Sequence, residues 1–353
     1  MDRAHVPTHA GGARLTSRLA AEDSSLLSVA YLGAAVGLAL FTALIAYQGV
    51  GEVAAALTRA GTGLVVVALF HLVPLVTNAI GWRSLLSPRP PLATLVWARW
   101  ISESVNGLLP VAQIGGNVVR AGLIARRGVP GPQAGASVVV DITLNVLTQI
   151  VFTLLGLCLL AIHIGYERLA LPVAIGMTIM GALLAGFYFA QREGLFGGTA
   201  RWLALASRRL RSTAIVDEGQ ALDAAIGRLY RAPRALVATA LWHLVSWIVG
   251  AGEVWLALRF LGHPVPLTTA LLLESLGQAI RTGAFVVPGA LGVQEGGYLL
   301  IGTFFGIPSE LSIACSLTKR ARELLLGLPG LLAWQVERAA TSLRPEAAQG
   351  DGG

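Results

Sequence analysis

The stretch LLPVAQIGGNVVRAG, from Leu108 to Gly122, decides how this chain is read. It holds a proline, three glycines, a Gln, an Asn and an Arg, yet it lies in a sequence that otherwise suits lipid. Hydrophobic side chains make up 55% of the 353 residues and charged ones only 13%. The mean hydropathy is +0.69, too apolar for a soluble domain of this size. Apolar runs of the roughly 20 residues needed to cross the hydrocarbon core of a bilayer recur near 26–48, 61–82, 134–162, 169–190, 235–260 and 311–333. These six predict full transmembrane helices. Two further regions, 92–127 and 266–306, are apolar but broken by Gly, Pro and polar residues, and each reads as a broken or re-entrant helical hairpin.

The basic residues fix an orientation. Net charge is +7, but the arginines cluster in short loops between spans, which is how membrane topology is encoded and not how a nucleic-acid surface is built. Nucleic acid is therefore excluded as a partner. The segment 191–234, with Arg201, Arg208, Arg209 and Arg211 among its cations, is assigned to the cytoplasm. Walking outward from it puts both termini inside, and 49–60, 163–168 and 261–265 outside. Within 191–234 the spacing of Leu222, Ile226, Leu229 and Tyr230 predicts an amphipathic helix on the membrane surface, linking the two halves or docking a lipid-synthesising enzyme. The polar first 25 residues precede a first span too long for a signal-peptide core, so that span reads as uncleaved.

The chain repeats itself. ALFHLV at Ala68–Val73 returns as ALWHLV at Ala240–Val245, and ESVNGLL from Glu103 as ESLGQAI from Glu274. Each half then carries a proline before a glycine-rich stretch, LLPVAQIGGN and VVPGALGVQE. The expected helix breaks are Pro110, Gly115 and Gly116 in one half and Pro288, Gly289 and Gly292 in the other. The fold class that follows is an all-α polytopic membrane protein, six full spans plus two broken hairpins arranged as an inverted repeat. Its parts are a tail (1–25), half one (26–162), half two (163–340, including 191–234) and a C-terminal tail (341–353). Interrupted helices in inverted repeats point to a substrate site near mid-bilayer.

Charges inside apolar runs cost about 2.5–3.5 kcal/mol each on insertion scales, so each needs a partner or a task. Those picked out are Glu103, Arg120 and Asp141 in half one, and Glu274, Arg281, Glu295 and the TKRARE run, Thr318–Glu323, in half two. Arg120 and Arg320 are the first choices for contacting an anionic lipid headgroup, with Glu295, Glu103, Asp141, Arg281, Asn106, Gln113 and Asn117 completing the binding set. Lys319 and Glu323, four apart on one helical face, read as a self-neutralising pair. His71 and His243 read as hydrogen-bonded groups between helices, with proton coupling as the other role open to them. Trp82, Trp97, Trp100 and Trp202 read as interfacial anchors. Cys158 and Cys315, both inside apolar spans, read as small buried hydrophobes and not as a disulfide. No metal-ligand spacing and no phosphate-binding loop is visible, so neither metal nor cofactor is expected.

NGLLPVAQIGGNVVRAGLIARRG in the first half, and FVVPGALGVQEGGYLLIGTFFGIP with SLTKRARELLLGLPG in the second, resemble the flippase-like transmembrane region of lysylphosphatidylglycerol synthases. WISESVNGLLPVAQIGG with GASVVVDITLNVLTQ is most similar to the subgroup associated with hopanoid biosynthesis. The resemblance implies movement of a lipid between leaflets of a bacterial inner membrane. Relatives commonly carry an acid after the first-half glycines, where this chain has Asn117. The synthases' soluble catalytic domain has no counterpart in these residues. The competing classes are a membrane-embedded lipid-modifying transferase and a non-transporting scaffold for hopanoid enzymes. The scattered acids favour a transporter over an enzyme, because group transfer needs clustered carboxylates or a nucleophile with its base.

Overall fold

A computed structural model describes residues 60–109, 114–164, 213–284 and 290–342, with isolated positions 51, 55, 58, 178, 181, 182, 185, 186, 189 and 287. Everything regular in these residues is helical. α1 (Gly63–Phe70) and α2 (Leu72–Arg83) run on through His71, whose backbone is itself helical. They are followed by α3 (Leu92–Leu108), α4 (Gly115–Ala125) and α5 (Gly131–Ile164). α6 (Thr213–Tyr230) leads into α7 (Pro233–Phe260), α8 (Leu267–Gly283), α9 (Val293–Phe304) and α10 (Ser309–Ser342).

Helix lengths recur in order. α3 and α8 have 17 residues each, α4 and α9 have 11 and 12, and α5 and α10 have 34 each. Local chemistry sets the starts. α3 and α8 both follow a proline in extended geometry, Pro91 and Pro266, because a fixed φ and a missing N–H suit the residue that opens a helix. α9 begins at Gly292, whose φ of 75° lies in the left-handed region open to glycine.

Packing follows an exchange. α3 lies against α10, α8 lies against α5, and α2 runs along α7. Small residues make the close approaches. A Cβ at Gly330 would meet Ser104, one at Gly327 would meet Leu108, and one at Gly156 would meet Ser275, the pattern by which helices associate without a hydrophobic driving force. At Gly116 the obstacle is backbone, the Ser102 carbonyl oxygen. Gly116→Ala is therefore expected to destabilise the protein by about 1–3 kcal/mol, read as a lowered unfolding temperature in detergent. An unchanged temperature would contradict that packing.

Two apolar clusters form among the described residues. One gathers Trp82, Leu95, Ile101, Ile124 and Ile226 from α2, α3, α4 and α6, with Val138 and Val140 of α5. The other gathers Val67, Leu258, Leu273, Tyr298 and Ala314 from α1, α7, α8, α9 and α10. Outward-facing positions are apolar too, as with Leu69, Val151, Leu155, Leu241, Leu328 and Leu332, a surface that suits hydrocarbon.

Three helical stretches among the described residues are long and apolar enough to cross a membrane: Gly63–Arg83, Gly131–Ile162 and Pro233–Phe260. They coincide with three of the expected spans. The one at 26–48 lies outside the described residues, as do Pro110, Gln113, Pro288, Gly289 and Trp202, and of the one at 169–190 only positions 178, 181, 182, 185, 186 and 189 are described, all helical. The span expected at 311–333 is helical throughout within α10, but its charged run separates it from the three apolar stretches. The helix expected in 191–234 forms over Thr213–Tyr230, and its apolar face meets α5, with Ile226 wholly buried. Trp82 corrects the interfacial assignment. It is fully buried, donates its indole N–H to Ser137 Oγ at 3.0 Å, and carries the Arg120 guanidinium over its ring. Cys315 is buried as expected, whereas Cys158 is exposed on α5, and both are free thiols.

Candidate functional site

A cavity of about 310 Å³ is lined by α2, α3, α5, α7, α8 and α10 and by His71. Its wall is unusual for a bundle with this exterior, since ionisable groups face it from four different helices. Exposed apolar residues such as Leu241 of α7 and Leu328 of α10 suit the lipid side, which leaves the charged positions facing inward.

Asp141 of α5 anchors the deepest cluster. It is fully buried and accepts from Arg120 Nη1 at 2.7 Å and from Arg99 Nη1 at 3.1 Å, with His243 Nε2 at 2.9 Å. His243 turns its other nitrogen to Asn78 Oδ1 at 2.6 Å. Arg99 also reaches Glu103 at 3.4 Å, which connects the buried cluster to the cavity wall.

A second cluster centres on His71. Its Nδ1 lies 2.6 Å from Glu253 Oε1 and its Nε2 lies 3.3 Å from Glu103 Oε2. Arg322 Nη1 sits 2.7 and 2.8 Å from the two ring nitrogens, and Arg322 also pairs with Glu253 and Glu323. Helices from both ends of the sequence thus meet at one imidazole.

On α8, Glu274 is buried. It receives the Lys319 ammonium, the Tyr298 hydroxyl at 3.0 Å and the Gln278 amide at 2.8 Å. Arg281, two turns further along, pairs with Glu323 and donates to Gln294 Oε1 at 2.9 Å. The helices preceding and following each short helix are therefore tied by an ion pair, with the signs exchanged. Arg99 on α3 meets Asp141 on α5, and Glu274 on α8 meets Lys319 on α10.

Of the binding set drawn from the sequence, Glu103, Asn106 and Arg281 line the cavity, together with His71, Glu274, Lys319, Arg322 and Glu323 from the other ionisable residues noted there. Arg120 and Asp141 stand one layer behind it, joined through Arg99. Glu295 is fully buried and accounted for by the fold. Its Oε2 accepts the Gly292 N–H at 2.7 Å to start α9, while Oε1 accepts from Ser316 at 3.1 Å and Arg320 Nε at 3.0 Å. Arg320 accordingly faces Glu295 and Glu323 and is not among the cavity-lining residues. Asn106 lines the cavity and also accepts the Gly116 N–H at 2.8 Å, holding the start of α4. Asn117, Gly115, Gly116 and Gly292 are absent from the wall, so among the described residues the short helices brace the site and the helices leading into them form it.

The expected Lys319–Glu323 pair is replaced. Lys319 bonds to Glu274 and Glu323 to Arg281, Arg320 and Arg322. Arg99 and Glu253 lie outside the set drawn from the sequence. Their signal was available, an ionisable residue inside an apolar run at VWARWIS and GAGEVWL.

The family model for the lysylphosphatidylglycerol synthase TM region matches residues 32–330. The chain belongs to this family. Membership makes it a multi-pass membrane protein of a lipid-handling family, in keeping with its apolar helices. No curated protein and no solved structure matches it. The matched region of this member ends inside α10, just beyond Pro329. That proline lies within the continuous helix, three residues after Leu326, whose carbonyl accepts the Trp100 indole N–H at 2.9 Å.

Proposed function

We propose that this protein moves a polar-headed lipid between the leaflets of a bacterial inner membrane, the headgroup passing through the cavity while the acyl chains stay in hydrocarbon. The observation that carries the reading is the cavity itself, charged walls enclosed by helices whose outer faces are apolar. Ionisable groups inside a membrane bundle mark a pathway for something polar. The repeated helix lengths and the exchanged packing of α3 with α10 and α8 with α5 support two halves of inverted orientation, a geometry suited to alternating access. Each acid of the cavity wall is held by a cation or by His71, which supports translocation over group transfer. The wording of the first-half motif supports a hopanoid-related subgroup, in which enzymes of lipid synthesis would be the partners. The arginine-rich loops support a cytoplasmic position for both termini.

Reconstitution into liposomes tests this. A lipid labelled on its acyl chain is exposed to a membrane-impermeant quencher from outside, and the inner-leaflet fraction is followed in time. Protein-containing vesicles are expected to lose it faster than protein-free ones; equal rates would overturn the proposal. Asn145 lines the cavity from α5, so Asn145→Trp obstructs the path without removing a charge. Translocation by that variant should fall roughly tenfold, with its unfolding temperature held. A normal rate would place the path elsewhere.

A further inference from the structure

The balance of charge on the wall selects the headgroup. The cations lining the cavity are Arg99, Arg281, Lys319 and Arg322. Against them stand Glu103, Glu253, Glu274 and Glu323. Among the described residues of the wall, four permanent positive charges meet four carboxylates, and each is paired, with His71 set between Glu103 and Glu253. A singly charged anion entering this space would have to draw a cation away from its carboxylate and leave that carboxylate uncompensated in a low-dielectric site. A singly charged cation meets the mirror problem. Both are disfavoured, because breaking one side of a buried pair exposes the full desolvation penalty of the other. A headgroup that brings both signs can exchange pairs without leaving a charge alone.

The exposures say where each end would sit. Glu103 is the most open carboxylate of the wall, 39% exposed, and its partners are distant, Arg99 at 3.4 Å and His71 at 3.3 Å. Arg281 is the most open cation, at 22%. Glu274 and Lys319, by contrast, are covered almost completely. Trp100 and Trp247 also line the space, and aromatic side chains attract an ammonium. Trp247 Nε1 is buried and finds no acceptor among the described residues, which leaves a donor for an incoming anionic oxygen.

We infer that the cavity accepts a zwitterionic headgroup, its ammonium against Glu103 on α3 and its phosphate against Arg281 on α8. This rests on the translocation reading and gives it a substrate class. The anionic headgroup expected from the sequence assumed unpaired arginines, and the pairing removes that ground.

The test uses vesicles of one fixed phosphatidylcholine and phosphatidylglycerol composition, with no membrane potential. Each carries one acyl-labelled probe: phosphatidylethanolamine, phosphatidylglycerol, a trimethylammonium diacyl lipid, or an uncharged diacylglycerol glucoside. Phosphatidylethanolamine should cross roughly tenfold faster than either singly charged probe, and faster than the glucoside. Glu103→Gln gives the wall a positive excess and should shift the ratio of rates toward phosphatidylglycerol. Arg281→Gln should shift it toward the ammonium lipid. A ratio taken within one preparation does not depend on how much of a variant folds. Phosphatidylglycerol crossing fastest in the unmodified protein, a glucoside as fast as phosphatidylethanolamine, or ratios unmoved by both substitutions would each overturn the inference while leaving translocation standing. No acceleration of any probe would overturn translocation, and this inference with it.

Discussion

Asp141→Leu is expected to lower the stability of the detergent-solubilised protein by about 3–5 kcal/mol, the loss typical when one member of a buried ion pair is removed. Asp141 is the common acceptor for Arg120, Arg99 and His243. Its removal leaves two guanidinium groups facing each other among apolar side chains, Arg120 itself being only 3% exposed. Leucine fills similar space, so the loss reports charge and not a void. Asp141→Asn keeps an oxygen to accept one hydrogen bond and should fall between the two. Thermal unfolding followed by tryptophan fluorescence or circular dichroism measures all three. A loss below about 1 kcal/mol for the leucine variant would mean that water reaches the cluster and that it is not the sealed anchor described above.

Lys319→Met carries a penalty of similar size, about 3–5 kcal/mol, for the opposite reason. It strands the Glu274 carboxylate, which is 3% exposed and retains the Tyr298 and Gln278 hydrogen bonds but no adjacent cation. The double substitution Lys319→Met with Glu274→Gln removes the stranded charge while preserving an acceptor for Tyr298. It should recover at least about half of the loss, a coupling within the range found for residues in direct contact. Additive losses in the double variant would show that the two side chains act independently, against the geometry. The cycle also separates stability from transport, because Glu274 and Lys319 line the cavity but are its best-covered charges. A doubly neutral wall of intact stability should still favour a zwitterionic cargo.

Several elements were legible in the chain before any coordinates. Three apolar stretches became helices of spanning length, and the polar linker produced α6. The matching ALFHLV and ALWHLV segments located two histidines that each bind acids across helices. They do so differently, His71 at the cavity and His243 fully buried, because their surroundings come from other segments. What spacing could not show was partner choice. Lys319 and Glu323 share a helical face, but Glu274, 45 residues away in sequence, offers a carboxylate already oriented by Tyr298 and Gln278. Arg120 and Arg320 looked free for a ligand only because Asp141 and Glu295 come from helices packed behind them. Trp82, apolar but able to donate one hydrogen bond, has the chemistry of an interfacial anchor until Ser137 supplies an acceptor in the interior.

The mating of every ionisable group on the wall also bears on the bilayer's tightness. A file of carboxylates would let metal cations step from one residue to the next and short-circuit the gradient the cell maintains. Among the described residues, the alternating signs drawn from α3, α7, α8 and α10 present no such file. Vesicles loaded with a sodium-sensitive dye and containing this protein should therefore hold an imposed sodium gradient as long as empty ones do, even while lipid exchanges between their leaflets.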